Sequence, residues 1–137
     1  MRAYAVKAEV ADPYADQWVL SAQKTMYGGR HIRTGDVVFV FSSDHMGGTG
    51  LIARGEVRNA TNHPRREGVA RQTPLVSLLI KRTGTARSPL GRSELRAFTD
   101  WDDGRPETEL NFKLYRQATN KVVGLSEATA VWLRRYF

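Results

Sequence analysis

The residue types most able to do chemistry are concentrated in a short segment, residues 41–50. It carries two serines, an aspartate, a histidine and three glycines between two apolar runs, "GDVVFVF" and "GLIARGEV". Ser43, Asp44 and His45 have the side chains of a nucleophilic triad, but triad members meet across a fold and are not consecutive in sequence. A small hydrolase or nuclease that uses Asp44 and His45 is therefore kept as an alternative only.

Other site chemistries have weaker support in this segment. Asp44 and His45 supply at most two metal ligands, and the chain has no HxH or HxxxH spacing. The acidic residues at 100–103 could chelate a divalent ion or form a solvated turn. The "GGTG" run enters a strand and lacks the lysine of a phosphate loop. We predict neither a metal nor a cofactor. A glycine-hinged recognition loop is favoured over a plain surface hairpin, because Ser42, Ser43, Asp44 and His45 offer donors and acceptors directly after a rigid strand.

Composition favours one globular domain spanning residues 1–137. The chain has 137 residues, 41% hydrophobic and 26% charged, and no cysteine. No apolar run approaches the roughly 20 residues of a membrane helix. The alternating start "MRAYAVKAEV" lacks the apolar block of a signal peptide. The expectation is a soluble cytoplasmic protein that does not associate with membranes.

The net charge of +7 comes from one part of the chain. Residues 54–96 hold ten cations and three acids, whereas the rest of the sequence is balanced. Arginine pairs bidentately with phosphate, so this segment favours a polyanion partner over a merely solubilising basic face. The candidate phosphate-contacting residues are Arg54, Arg58, Arg65, Arg66, Arg71 and Arg82.

Apolar periodicity predicts the elements that would position these residues. Residues 3–10 alternate as a strand with Lys7 on its polar face, and the spacing of Trp18, Ala22 and Met26 predicts a helix. "GDVVFVF" reads as a barrel strand, and "GLIARGEVRNAT" and "TPLVSLLIKRTG" as two further strands.

The rest of the chain predicts short helices and turns. "GRSELRAF" is typical of a short helix, and "TDWDDGRPETE" is turn-rich. Ser126 would cap a final helix with an apolar stripe formed by Val131, Trp132 and Tyr136. The fold class is therefore α+β, a small mixed, partly closed β-barrel with flanking short helices.

The order of these elements resembles the PUA-like superfamily, within it the EVE, ASCH and YTH branch, and most of all the EVE type. That branch carries a "GDxVxFY-S-----IxGxGxV" core. The matching positions are Gly35, Asp36, Phe39, Phe41, Ser42, Ser43, Ile52, Gly55 and Val57. The likeness covers the first half of the chain well and the second half only generally. The GxKxxExR motif of many ASCH domains is absent, so amidohydrolase activity has no support.

The resemblance implies nucleic-acid binding, with one modified base held in an aromatic pocket between the first helix and the loop after "GDVVFVF". Trp18, Tyr27, Phe41, Ser42 and Ser43 would lie near that pocket. Trp101 is the aromatic residue that packing in a core explains least. Trp18 is somewhat more typical of a core residue than of a pocket residue. The complete set of candidate base-binding residues is Trp18, Tyr27, Phe41, Ser42, Ser43, Asp44, His45, Trp101, Tyr115, Arg116, Asn120 and Lys121.

The function predicted from the sequence is thus a nucleic-acid-binding module that is not an enzyme by itself. DNA or RNA, the identity of the base and its modification stay open, as does a partner nuclease or modification enzyme. The alternatives are the small hydrolase or nuclease and a protein-interaction domain whose basic face meets an acidic partner.

Overall fold

The computed structural model describes residues 2–43, 50–64, 68 and 73–137. Within these ranges, none of the helices has the length and apolar character needed to cross a lipid bilayer.

Six strands form a closed barrel with the order β1-β3-β4-β5-β2-β6. Their bounds are Ala3–Ala8 (β1), Gln17–Met26 (β2), Val37–Ser42 (β3), Gly50–Asn62 (β4), Leu75–Thr85 (β5) and Lys121–Gly124 (β6). The β1–β3 and β2–β6 pairs are parallel and the other four are antiparallel. The predicted small mixed barrel is confirmed, and it is closed rather than partly closed.

The helices are short, as the fold-class prediction requires. They are Arg92–Leu95 (α1), Pro106–Leu110 (α2) and Glu127–Leu133 (α3). Helix α2 continues as a π-helical turn, Asn111–Tyr115, and two 3₁₀ turns cover Gly29–His31 and Arg134–Tyr136. Pro106 occupies the first turn of α2, where its missing N–H costs no hydrogen bond.

Two apolar layers follow from the alternation of side chains along the strands. Tyr4, Val6 and Ala8 of β1 point into the barrel interior. Ala5 lies on the outer face of β1, where Phe39 and Phe41 of β3 join Leu110 of α2 in a second cluster. The helices therefore cover one outer side of the barrel, and the polar site described below lies at the edge of that covered layer.

The helix predicted from Trp18, Ala22 and Met26 is wrong, because these residues belong to strand β2. Trp18 and Leu20 face the barrel interior with the two-residue period of a strand. The register shifts between Leu20 and Gln23, and Ala22 has a positive φ of 47° at this bulge. The four-residue spacing of apolar side chains was thus produced by a bulged strand.

Most of the other element predictions are confirmed. "GDVVFVF" and "GLIARGEV" form antiparallel neighbours in the barrel, and "TPLVSLLIKRTG" forms β5. The side chain of Ser126 accepts a hydrogen bond from the N–H of Thr129 and caps α3. Val131, however, is 53% exposed and is not part of the apolar stripe.

Candidate functional site

Two lysines lie side by side under the helical layer. Lys7 of β1 and Lys121 of β6 are register partners, and their exposed fractions are only 2% and 1%. The Nζ of Lys7 donates to the carbonyl of Ala118, and the Nζ of Lys121 donates to that of Gln117, each over 3.1 Å. The prediction of an exposed Lys7 was wrong, because the helical layer covers the outer face of β1.

The surroundings of Lys121 are electropositive. Burial lowers the pKa of its ammonium group to about 8, and the charges of Lys7 and Arg116 act in the same direction. Among the described residues, no carboxylate lies within ion-pairing distance of Lys121. The site therefore favours a ligand that brings negative charge or hydrogen-bond acceptors.

Tyr115 packs against Lys7, and Ser43 lies beside the end of β1. Ser43 follows β3 directly, and its N–H donates to the carbonyl of Ala8 over 2.8 Å. Its buried hydroxyl has no hydrogen-bond partner in the described parts of the chain. The ring of Tyr115 lies 5.4 Å from the Nζ of Lys7 and 5.3 Å from the guanidinium of Arg92.

Lys7, Ser43, Tyr115 and Lys121 together are called the lysine-pair site. It is built where β1 and β3 end and β6 begins, so three barrel strands fix the positions of its backbone. Lysine ammonium groups only donate hydrogen bonds, whereas a serine hydroxyl can donate and accept. The site can thus recognise a polar group rich in acceptor atoms.

The polar run "YRQATNK", residues 115–121, supports this site with its backbone as well as its side chains. The carbonyls of Gln117 and Ala118 accept the two lysine hydrogen bonds. Arg116 places its guanidinium 3.8 Å from the centroid of the Phe112 ring, and Asn120 is half-buried in the same run. The candidates Tyr115, Arg116, Asn120 and Lys121 therefore lie within one short segment at the site.

Phe112 extends the site into a row of aromatic rings. Its ring centroid lies 5.7 Å from that of Tyr27 and 5.3 Å from that of Trp101. Tyr27 is 36% exposed and Trp101 is 42% exposed, so both predicted aromatic residues offer ring surface to solvent. Arg116 links this row to the lysine-pair site.

The remaining candidates near "GDVVFVF" are placed differently. Phe41 is the register partner of Lys7 and is fully buried in the layer under the helices. Ser42 is buried at the end of β3. Trp18 lies in the barrel interior, and its indole N–H donates to the carbonyl of Asp12 over 2.9 Å, which accords with the preference for a core role. Asp44 and His45 lie outside the described residues.

The three candidate phosphate-contacting arginines that the structure describes make separate contacts. The guanidinium of Arg54 lies 6.0 Å from the Phe137 ring, and Arg58 pairs with Glu56 over 3.6 Å. Arg82 donates to the carbonyls of Ala15 and Tyr14, so its guanidinium ties β5 to the chain before β2. Arg65, Arg66 and Arg71 lie outside the described residues.

The acidic turn at 100–103 is explained by its own backbone contacts. A carboxylate oxygen of Asp100 accepts from the N–H of Asp102, and one of Asp103 accepts from that of Arg105. In the described ranges, no group of three or more His, Cys, Asp or Glu side chains is arranged to hold a metal ion. The hydrolase alternative therefore rests on Asp44 and His45 alone.

Sequence reasoning missed Lys7 and Phe112. Lys7 is the only charged residue in the β1 segment "AYAVKA", and a lone charge in an otherwise apolar strand was the signal that could have identified it. Phe112 carried no such signal, since an apolar residue in "LNFKL" is typical of a core.

Solved structures share this architecture over nearly the whole chain. A crystal structure of the human THYN1 protein in complex with DNA containing 5-methylcytosine matches with a TM-score of 0.63 and 10% identity, covering 97% of this chain and 95% of that one. The DUF55 domain of human thymocyte nuclear protein 1 has the same fold, with a TM-score of 0.60 and 11% identity, covering 95% of each chain. A Pseudomonas putida protein matches with a TM-score of 0.64 and 12% identity, covering 98% of each chain.

A third solved structure, a hypothetical protein from Leishmania major, gives a TM-score of 0.61 at 14% identity, covering 98% of this chain and 93% of that one. No protein-family model and no curated protein sequence matches the chain. Identities this low establish a shared fold, and the predicted resemblance is confirmed at that level.

Proposed function

We propose that this PUA-like domain binds nucleic acid and reads one base, in particular a modified base, at the lysine-pair site. The observation that carries the proposal is the burial, where β1 and β3 end and β6 begins, of two opposed lysines and of a serine hydroxyl that has no partner among the described residues. The DNA complex of the similarly folded human THYN1 protein supports a nucleic-acid ligand.

The chemistry of the site suits the edge of a base. Base carbonyl and ring-nitrogen atoms accept hydrogen bonds, and the ammonium groups of Lys7 and Lys121 are donors. The Ser43 hydroxyl could serve either an acceptor or an exocyclic amino group. A base read in this way must leave its stack, as in other proteins that hold a flipped or unpaired base.

A methyl group on the base would add modest affinity. Burying one methyl gains about 0.8 kcal/mol, which corresponds to roughly fourfold tighter binding. A larger preference for a modified base would require polar contacts to, or steric clashes with, the competing base. The polar residues of the lysine-pair site supply the means for such contacts.

Cations around the lysine-pair site suit contacts with the phosphates of the nucleic-acid strand that carries the base. Arg116 lies on the exposed side of the lysine-pair site, stacked on Phe112. Neutralising phosphates releases bound counterions, so binding should weaken steeply as salt concentration rises.

Binding of short oligonucleotides to three variants tests the proposal. Single- and double-stranded DNA and RNA, with and without 5-methylcytosine, 5-hydroxymethylcytosine or N6-methyladenine, would be titrated by fluorescence anisotropy at several salt concentrations. Lys121→Met and Ser43→Ala should each weaken binding roughly tenfold, since each removes a polar contact to the base. Lys24→Met is the matched control, because Lys24 is exposed on β2 and loses the same charge.

Three results would contradict the proposal. One is the absence of oligonucleotide binding near physiological salt. The second is an equal loss of affinity in Lys24→Met and Lys121→Met, which would indicate charge alone. The third is salt-sensitive binding without preference for any base, unchanged in Ser43→Ala, which would indicate only a basic surface.

A further inference from the structure

A cavity lies at the opposite end of β1 and β3 from the lysine-pair site. It is a groove of about 920 Å³ between the barrel and helix α3. Arg2 and Val37 line it at the beginning of these strands, whereas Lys7 and Ser43 lie at their far ends. None of the residues assigned to the lysine-pair site lines this groove.

Three arginines that line the groove have no carboxylate partner among the described residues. Arg2, Arg54 and Arg134 make no ion pair with any acid in the described parts of the chain. They come from the residue before β1, from β4 and from the 3₁₀ turn after α3, so distant parts of the sequence supply them. This cavity is called the arginine groove.

The charges of the other residues that line the arginine groove nearly cancel one another. Lys113 pairs with Glu109 over 3.1 Å, and Glu56 pairs with Arg58 over 3.6 Å. Glu127 is then the one lining acid that no ion pair occupies among the described residues. The groove therefore keeps a positive excess, and arginine guanidinium groups match the geometry of phosphate oxygens.

A buried tyrosine adds a polar group to this end of the barrel. Tyr4 lines the groove, and its buried hydroxyl lies beside the guanidinium of Arg2. Burial and the Asp36 carboxylate raise the pKa of Tyr4, while a side-chain hydrogen bond with Arg2 and the positive charge of Arg2 lower it. The hydroxyl of Tyr4 and the guanidinium of Arg2 therefore add neighbouring hydrogen-bonding groups to the groove.

The groove also has an apolar side. Val131 is 53% exposed on α3, and Tyr27 is 36% exposed at the end of β2. The volume lies in the range of pockets that hold whole small molecules and exceeds what a single phosphate needs. The ligand should thus combine an anionic group with a ring or sugar that covers apolar surface.

We propose that the arginine groove binds a phosphate-bearing nucleotide unit. The phosphate contacts Arg2, Arg54 and Arg134, and the base or sugar packs against Val131 and Tyr27. Either a free mononucleotide or one residue of a nucleic-acid strand supplies this chemistry. The proposal does not depend on base reading at the lysine-pair site, because none of the four residues that define that site lines the groove.

Amide NMR shifts locate the binding. The full chain would be titrated with adenosine and deoxycytidine 5′-monophosphates, with the corresponding nucleosides, with inorganic phosphate and with a short single-stranded oligonucleotide. A phosphate-bearing ligand should shift the amides of residues 2–4, 35–39 and 124–134. The nucleosides should bind roughly tenfold more weakly, because they lack the group that the arginines hold.

Two variants and a control distinguish binding in this groove from nonspecific attraction of an anion to the positively charged surface. Arg134→Ala and Val131→Glu should each weaken binding roughly tenfold, the first by removing a phosphate contact and the second by adding a like charge at an exposed position. Arg135→Ala, at the neighbouring exposed residue outside the groove, should bind as the wild type does.

These titrations distinguish the two sources of the ligand and test the groove proposal. Shifts with mononucleotides assign the groove to free nucleotides, and shifts with the oligonucleotide alone assign it to a strand. Shifts confined to residues around Lys7 and Lys121, or equal losses in Arg135→Ala and Arg134→Ala, would overturn the groove proposal. Groove shifts that persist in Lys121→Met would support it even if the lysine-pair site binds no base.

Discussion

Lys7 on β1 and Lys121 on β6 are direct register partners in an antiparallel pair, with both side chains buried. Like charges directly opposite on neighbouring strands destabilise a sheet. Two backbone carbonyls, of Ala118 and Gln117, accept from the two ammonium groups and offset part of that cost. The domain thus maintains an electropositive site at a position where an apolar pair would be more stable.

The first prediction concerns the pH dependence of stability. The pKa of Lys121 is lowered to about 8 from its ordinary 10.5. Between these values the unfolded chain binds more protons than the folded one, so this lysine makes the free energy of unfolding rise with pH. Lys121→Met should remove that component, which we expect to be roughly 1–2 kcal/mol after allowing for partial solvation.

Urea denaturation of both proteins between pH 7 and 9.5 measures this effect. The free energy of unfolding of the wild type should rise relative to that of Lys121→Met as the pH rises through about 8. Lys24→Met, at an exposed position, controls for the loss of a lysine in general. Parallel pH curves for wild type and Lys121→Met would show that Lys121 is not perturbed.

The second prediction compares two serines. Ser43→Ala should leave the free energy of unfolding unchanged or raise it by up to about 1 kcal/mol, because its buried hydroxyl has no partner among the described residues. Ser126→Ala should lower stability by roughly 1–2 kcal/mol, since this side chain caps α3. Chemical denaturation of both variants checks the contrast. A large loss in Ser43→Ala would mean that its hydroxyl has a structural role.

The third prediction separates the roles of two tryptophans. Trp101→Phe should change stability by less than about 1 kcal/mol, whereas Trp18→Phe should cost about 1–3 kcal/mol, because Trp18 fills the barrel interior and its indole N–H is bonded to Asp12. Acrylamide quenching provides an independent readout. Trp101→Phe should remove the most readily quenched fluorescence, and the prediction fails if Trp18→Phe does so instead.

The sequence predicted the barrel strands well where one apolar period was unambiguous. Val38 and Val40 face the interior while Phe39 and Phe41 face the helices, so both faces of β3 are buried, as its continuous apolar run indicated. The run around Trp18 failed because a bulge at Ala22 breaks the two-residue period and imitates a helical spacing.

Residues of the candidate site could be predicted only where a polar run stands between apolar segments. The run "YRQATNK" stood out between apolar segments, and Tyr115, Arg116 and Lys121 do lie at the lysine-pair site. Lys7 was assigned to solvent because alternation within one strand reveals which residues share a face, and not what covers that face. The outer face of β1 is covered by α2 and its π-helical turn, which follow about a hundred residues later in the sequence.

The fourth prediction concerns Gly50, a residue of the glycine-rich segment. It has a positive φ of 85°, and a side-chain carbon there would lie 2.2 Å from the carbonyl oxygen of Leu90. Gly50→Ala should therefore destabilise the fold by more than about 2 kcal/mol, through backbone strain and steric overlap. Gly104→Ala is the comparison, because its φ of 72° is also positive but nothing lies within 4 Å. Thermal denaturation should show the larger loss for Gly50→Ala, and equal losses would exclude the contact with Leu90 as the cause.

The last prediction concerns Glu109, which joins α2 to the start of α3. Its carboxylate accepts hydrogen bonds from Ser126, Thr129 and Lys113. Burial raises the pKa of Glu109, but the hydrogen bonds from Ser126 and Thr129 and the charge of Lys113 outweigh it, so the pKa lies below its ordinary 4.5. The folded state therefore binds fewer protons than the unfolded state as the pH falls below 4.5, and the stabilisation is lost on titration through the folded-state pKa.

Glu109→Gln should lower the free energy of unfolding at neutral pH by about 1–3 kcal/mol, because charge-assisted hydrogen bonds are replaced by weaker neutral ones. The gap to wild type should narrow as the solution is acidified below 4.5. Glu107→Gln is the matched control, since its carboxylate lies on the same helix and makes no hydrogen bond or ion pair among the described residues. Urea denaturation at pH 7, 5, 4 and 3 measures both differences. A gap that stays constant over this range would show that the variant acts through packing rather than through the charge of Glu109.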